Sequence, residues 1–349
     1  MTDVTVVVPT RNRAASVLAL LRHLRLELQW SCPVVVVDQS DDGGAALAAG
    51  LREAPFADVV QLRQEARGTG TARNAGARLA GTPWLLLLDD DVRPARGYLQ
   101  TLQRYVADHP WVDAVQPGLE QRAAWEAYCR EPDHWLAEHR RAPAVRHRPR
   151  EDWDGVRWFT NSPRTTHGAL TIGVASGNLL ISRRAFFGAG GFDEQIEGRG
   201  DDSEFGLRLW WYGYRVSICP QAMAFHLREE HGGTRDGRSR WSRLLEPDPP
   251  VGWVYFYRRW FPGAPYRQMW RAHLLAGLRR PWALPVRAVR LWKALRGAEA
   301  RFRVGPRLLA APVPRDGLPS LPEAGPGASA APAAAAVAPV PHEALAARP

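Results

Sequence analysis

Four short apolar runs punctuate the first third of the chain: TVVVP at 5–9, PVVVVD at 33–38, DVVQL at 58–62 and WLLLLD at 84–89. Between them lie segments with helical spacing. Residues 14–28 place Val17, Leu20, Leu21, Leu24 and Leu28 on one face, and helices are predicted over about 43–53, 70–81 and 95–108. Strands apolar on both faces and bounded by helices imply a parallel sheet covered on both sides. Such sheets bind ligands beyond the carboxyl ends of their strands. Pro9-Thr10, Asp38 and Asp89–Asp91 all fall at those ends, so three separated segments are expected to converge on one crevice.

Size and composition narrow the class. The 349 residues allow about two domains with proper cores. A hydrophobic content of 45% and a mean hydropathy of −0.32 describe a globular chain. No apolar run approaches the ~20 residues needed to span a bilayer. The opening MTDVTVVVPT reads as a first strand rather than a signal peptide. Cys32, Cys129 and Cys219 are scattered and form neither a disulfide framework nor a metal knot, which points to a reducing cytoplasm.

The second half is less regular. Residues 119–165 show no period, and no element is assigned there. GVASGNLLISRRAFFGAGGFDE reads as strand, helix and Gly-Gly turn; residues 202–212 read as a helix ending near Gly213, and RVSIC (215–219) as a strand. Residues 251–310 hold twelve arginines and Lys293 against Glu299 alone, a local charge of +12 within a chain of +10. The basicity therefore belongs to one region and argues about a local partner. Trp253, Trp260, Trp270, Trp282 and Trp292 interleave those arginines, as in amphipathic segments for an anionic membrane surface; nucleic acid is the less favoured alternative. Residues 266–304 are expected to be helical with breaks at Pro281 and Pro285, and the Ala/Pro-rich residues from 311 on are expected to be disordered.

Five groups of residues carry candidate chemistry. Asp89, Asp90 and Asp91 follow four leucines directly; taken alone, three acids in a βα loop are more often surface or capping residues. The functional reading is a site for Mg²⁺ or Mn²⁺, whose oxygen ligands would include one or two carboxylates and a diphosphate. Asp38 could accept from a ribose hydroxyl or a base N–H, or serve as a plain turn residue. In ARGTGTARNAG (66–76), free N–H groups at a helix start and Arg73 suit phosphate oxygens, although an ordinary helix start would look the same. In GRGDDSEFG, Asp201 and Glu204 fit a capping box. That leaves Asp202 as a candidate general base, which the helix dipole is expected to keep ionised. His226 follows a short apolar stretch, and His231 competes with it as a ligand.

In this order the pieces resemble the GT-A glycosyltransferases of family 2. VVVPTRNR, VVVVDQSDD, TARNAGARLAG, LLLLDDDV, SGNLLISR, GGFDE, GDDSEFGLRL and FHLREEHGG match that family's succession over residues 4 to about 235. The resemblance implies an α/β GT-A (Rossmann-like), mostly parallel sheet with helices on both faces, here with a C-terminal helical extension. It divides the chain into a nucleotide-sugar-binding half (1–118), an acceptor-binding and catalytic half (119–240), a basic helical extension (241–310) and a tail (311–349). It implies inverting transfer from a nucleotide-diphosphate sugar to a glycan or lipid-linked acceptor, with a divalent cation. Pro9, Thr10, Arg11, Asp38, Arg73, Asp89 and Asp90 would contact the donor, Asp91 and His226 the metal, and Asp202 would be the base. Peripheral attachment to the inner face of the membrane is expected, and no nucleic acid. The alternative is a catalytically silent nucleotide-sugar binder or membrane-associated scaffold on the same fold. A processive synthase is disfavoured, since no transmembrane bundle or QxxRW-type motif is seen.

Overall fold

The computed structural model describes residues 3–53, 58–66, 68–141, 173–196, 198–229, 231–233, 245–247, 249–261, 263–278 and 284–315. Its centre is an eight-stranded mixed sheet in the order β3-β2-β1-β4-β7-β6-β8-β5. The first four positions are β3 (Val59–Arg63), β2 (Val34–Asp38), β1 (Val4–Thr10) and β4 (Trp84–Leu88), and they are mutually parallel. Beyond β4 the strands are β7 (Asn178–Ser182), antiparallel to it, then β6 (Ala114–Gln121), β8 (Val216–His226) and β5 (Val92–Pro94).

Strand alternation explains the two layers of helices. Val4, Val6, Val8, Val34 and Val36 point to one face, where α1 (Ala14–Arg22) and α4 (Tyr98–Asp108) supply Leu20, Leu21, Leu99 and Leu102. Alternate positions Val7, Leu85 and Leu87 point to the other face. There α3 (Thr69–Leu79), α7 (Arg183–Gly188) and α8 (Asp201–Trp211) pack, with Ala77, Phe186 and Phe205 in the core. Gly76 lets α3 approach closely, since a Cβ there would run into Val7. On the first face, α1 continues into a π-helical turn over His23–Glu27, and α2 (Ala45–Glu53) packs beside it.

The structure extends or corrects several expectations. Part of the unassigned segment 119–165 is ordered as the end of β6, α5 (Arg122–Arg130) and α6 (Pro132–Arg141); residues 142–165 lie outside the described residues. RVSIC is the start of a longer β8 that includes His226, and the ladder to β6 shifts between Pro117 and Gly118. That irregularity hid the continuity in the sequence pattern. Pro285 does not break the last helix, because it sits in the first turn of α11 (Leu284–Val304), where a missing N–H costs no internal hydrogen bond. Pro281 and Trp282 lie outside the described residues.

The basic region is more internal than its composition implies. In α9 (Val251–Trp260), Val254, Tyr255, Phe256, Arg259 and Trp260 are buried. Arg259 donates to Asp193 at 2.8 Å, and the Tyr255 hydroxyl donates to the same carboxylate. Trp253 is half-buried against Phe256 and Tyr257, and Trp270 of α10 (Ala264–Leu278) packs into the neighbouring cluster. Residues 311–315, expected to open a disordered tail, are instead pinned. Val313 and Arg315 donate backbone N–H groups to the carbonyls of Gly188 and Tyr212, and the Arg315 side chain pairs with Asp113 at 3.2 Å. Residues 316–349 lie outside the described residues.

Candidate active site at the carboxyl edge of the sheet

The β1–β2 register sets Thr10 beside Asp38. Both Asp38 oxygens are oriented, one by the Ser40 N–H (2.9 Å) and the other by the Gln61 amide (3.0 Å). Gly44, at φ +78°, lies against that carboxylate, and a Cβ there would come within 2.9 Å of it. Pro9 is buried in β1. The Thr10 hydroxyl donates to Asp90 at 2.7 Å, so these two polar groups, both expected to face the donor, engage each other. Arg11 donates to Asp41.

The three aspartates leave β4 in three directions. Asp89, at the strand end, accepts from Arg73 at 2.7 Å and lies over Gly177, where any Cβ would overlap its carboxylate. Asp90 turns inward, and burial raises its pKa to about 7 against the opposing pull of Arg13 and Thr10. Asp91 sits under the end of β8 with its Oδ1 3.3 Å from His226 Nε2. Burial would raise its pKa, but His226, Arg13 and the Glu229 N–H together hold it below the usual carboxylate range. The His226 imidazole is correspondingly raised, first by its hydrogen bond to Asp91. His231 is exposed and uses its carbonyl, not its ring, to accept from Arg13.

Asp202 is half-buried in the first turn of α8 and accepts from both the backbone N–H and the hydroxyl of Ser176. Burial raises its pKa, opposed by Arg73 and Ser176 and reinforced by Asp89. The outcome is opposite to the dipole expectation, because desolvation of a carboxylate crowded by acids outweighs a helix terminus. Neighbouring Asp201 is raised to about 7 by the same burial and by Asp202.

The capping box is absent. The N-cap is Gly200, which has no side chain to cap with. Asp201 accepts from Thr69 (3.1 Å) and Arg73 (3.4 Å) instead. Glu204 turns into the core to pair with Arg208, a stronger partner than a backbone amide.

Arg73 thus lies buried between Asp89 and Asp201, tying the strand end to the helix start. Its neighbour Asn74 has a structural task, exchanging hydrogen bonds with both backbone groups of Phe192 in the GGFDE turn at 2.8 and 2.9 Å. Sequence reasoning missed Arg13, Ser176 and Gly177. Arg13 was visible only as the second arginine of PTRNR, and Ser176 and Gly177 only as letters of SGNLLISR.

Asp91 and His226 together offer a carboxylate oxygen and an imidazole nitrogen side by side. Among the described residues no three His, Cys, Asp or Glu side chains form a self-sufficient metal group. The pair therefore fits a hard cation that draws its other ligands from phosphate oxygens and water.

A mixed sheet with Asp38 at the end of β2, an acid cluster after β4 and the helix-borne carboxylate of Asp202 matches the GT-A class of fold. The sequence model described as "Glycosyl transferase family 2" matches residues 5–154, so that stretch of the chain is similar to this family. The chain is 28% identical over 227 residues to the pre-mycofactocin glycosyltransferase of Mycobacterium tuberculosis, covering 64% of this chain and 42% of that one. It is 24% identical over 277 residues to the chondroitin synthase of Escherichia coli, covering 73% and 39%. The chain thus spans about two fifths of the length of these relatives. Among solved structures, GalNAc-T7 with UDP, GalNAc and Mn²⁺ superposes with a TM-score of 0.53 at 17% identity, covering 76% of this chain and 49% of that one. That likeness concerns the fold.

Proposed function

We propose that the protein is an inverting transferase moving a sugar from a nucleotide-diphosphate donor to a hydroxyl of a glycan or lipid-linked acceptor. The observation that carries this reading is the placement of Asp202. Its carboxylate is aimed by Ser176, lies near Asp89 and Arg73, and shares one sheet edge with the Asp91–His226 pair. Asp38 would receive the nucleoside, and Asp89 the ribose side of the donor. Asp91 and His226 would hold Mg²⁺ or Mn²⁺, which when bound neutralises charge on the leaving diphosphate.

Asp202 takes the proton of the acceptor hydroxyl as that oxygen bonds to the anomeric carbon. The bond from that carbon to the diphosphate oxygen breaks on the opposite face. A raised pKa suits this task, since it brings proton affinity closer to neutral pH. The rest of the site positions the reactants. A panel of UDP-, dTDP- and GDP-sugars, scored by thermal shift with and without Mn²⁺, tests donor binding. A shift with one donor that grows with the metal is expected; no shift with any donor would contradict the reading.

We also propose that the C-terminal helices rest on an anionic membrane surface. Among the described residues no helix is long and apolar enough to cross a membrane. On α11, however, Val289, Trp292 (59% exposed), Leu295 (43%) and Phe302 project outward beside the exposed Arg296 and Arg303. Apolar insertion and basic residues at about 1 kcal/mol each act together at such a surface. Removing everything after residue 250 would strip the buried α9, so point changes are the sound test. Trp292→Glu with Leu295→Glu is expected to reduce binding to phosphatidylserine-containing vesicles at least tenfold. Unchanged binding would remove the proposal.

A further inference from the structure

The donor-site acids are already paired with a cation of the protein's own. Arg13, at the start of α1, places Nη1 3.0 Å from Asp90 Oδ1 and 3.2 Å from Asp91 Oδ2, between the two carboxylates. Its other donors reach across to the segment after β8. Nη2 donates to the Glu229 carbonyl at 3.0 Å, and Nε donates to the His231 carbonyl at 2.7 Å. The Gly233 N–H donates to the Arg11 carbonyl at 2.8 Å, and Gly232 (φ +76°) fits against the Asn12 and Arg11 carbonyls, where a Cβ would come within 2.8 and 3.0 Å. The Glu229 N–H returns to Asp91 Oδ2 at 3.1 Å. One guanidinium therefore bridges the acid pair and fastens the backbone on either side of residue 230.

We infer that Arg13 is a resident counter-cation of Asp90 and Asp91, a positioning residue that competes with the divalent ion for Asp91 and couples its arrival to release of the Glu229 and His231 carbonyls. The inference rests on the proposed metal role of Asp91 and His226. Two buried carboxylates adjacent in sequence repel each other unless a positive group lies between them. Without a divalent ion Arg13 fills that need, and with one bound at Asp91 the two cations repel across a shared ligand. Loss of the guanidinium removes one of the two donors on Asp91 Oδ2 and that repulsion, while the Glu229 N–H and His226 continue to hold the carboxylate in place. The cavity lined by Arg122, Arg228, Glu229 and His231 borders the same fastening, so anions there would meet a wall whose backbone Arg13 holds.

The test is Mn²⁺ titration, read by the electron paramagnetic resonance signal of free ion, on wild type, Arg13→Gln and Arg13→Lys with UDP or GDP present. Metal-free melting is measured on the same proteins. Arg13→Gln is expected to bind Mn²⁺ at least tenfold more tightly than wild type and to melt at lower temperature without metal. Arg13→Lys, which keeps the charge but loses the fork, is expected to gain severalfold, so the question stays answerable if the glutamine variant fails to fold. Equal or weaker Mn²⁺ binding in the folded variants overturns the inference and leaves the proposed function standing. Failure of wild type to bind Mn²⁺ with either nucleotide overturns both.

Discussion

Asp202→Asn is expected to lower turnover by roughly 10²–10⁴-fold, the usual contribution of a positioned general base. Donor binding should persist, because the amide keeps the volume and still accepts from Ser176, while Asp38, Asp91 and His226 are untouched. The pH dependence has a definite sign. Burial raises Asp202 above the ordinary carboxylate value of 3.8 and Asp201 to about 7, so kcat/KM should climb with pH through a limb above that ordinary value. In Asp202→Asn this limb should disappear along with the rate. Because Asp201 is raised, the folded state holds a proton that the unfolded chain releases. Its stability contribution therefore falls as pH rises from the ordinary carboxylate range through about 7. A variant within threefold of wild type at every pH would remove Asp202 from the chemistry.

The second large effect concerns stability. Arg208 is 0% exposed. It pairs with the equally buried Glu204 through Nε at 2.9 Å and Nη2 at 2.5 Å, and donates to the carbonyls of Ala189 and Gly191. Burial alone would raise the Glu204 pKa, but Arg208 first and then Arg259 hold it low. Arg208→Met would leave a buried carboxylate whose nearest remaining cation is Arg259, 3.7 Å away, and two carbonyls without the Arg208 donor. Breaking such a pair typically costs about 3–5 kcal/mol, on the order of 10 °C in Tm. Adding Glu204→Met should recover much of the loss, because an apolar replacement of both partners leaves no stranded charge. A single variant that melts within 2 °C of wild type, or a double variant less stable than the single, would contradict this account.

The fold of the first half was legible because β1, β2 and β4 are apolar on both faces and α1, continued into its π-helical turn, carries a plain 3.6-residue stripe through Val17, Leu20, Leu21 and Leu24. The second half hid its order for identifiable reasons. The pairing of β8 with β6 shifts register between Cys219 and Met223, so one strand read as two. The helices α5 and α6 pack Trp125, Tyr128 and Trp135 around Phe225, and aromatic-rich helices of about ten residues give a weak periodic signal. The arginines and tryptophans of α9 looked like surface chemistry, because composition cannot show that Arg259 has Asp193 to meet inside.

At the site, sequence reasoning marked the acids but not what holds them. A carboxylate after an apolar strand is conspicuous, whereas Gly177 under Asp89, Ser176 against Asp202 and Arg13 between Asp90 and Asp91 are contacts across 26 to 88 positions that no local pattern announces. Glu204 shows the opposite failure. Its spacing from Asp201 fits a local motif, yet a buried arginine one turn later is the partner it takes.

The most direct test of the central claim is release of nucleoside diphosphate from a donor sugar by the purified protein, with membrane extract supplying acceptors. Release from one donor that requires Mg²⁺ or Mn²⁺, stops on chelation and is lost in Asp202→Asn is the result predicted. Donor binding without release under any metal or acceptor condition would contradict the account and leave a silent binder on a transferase fold.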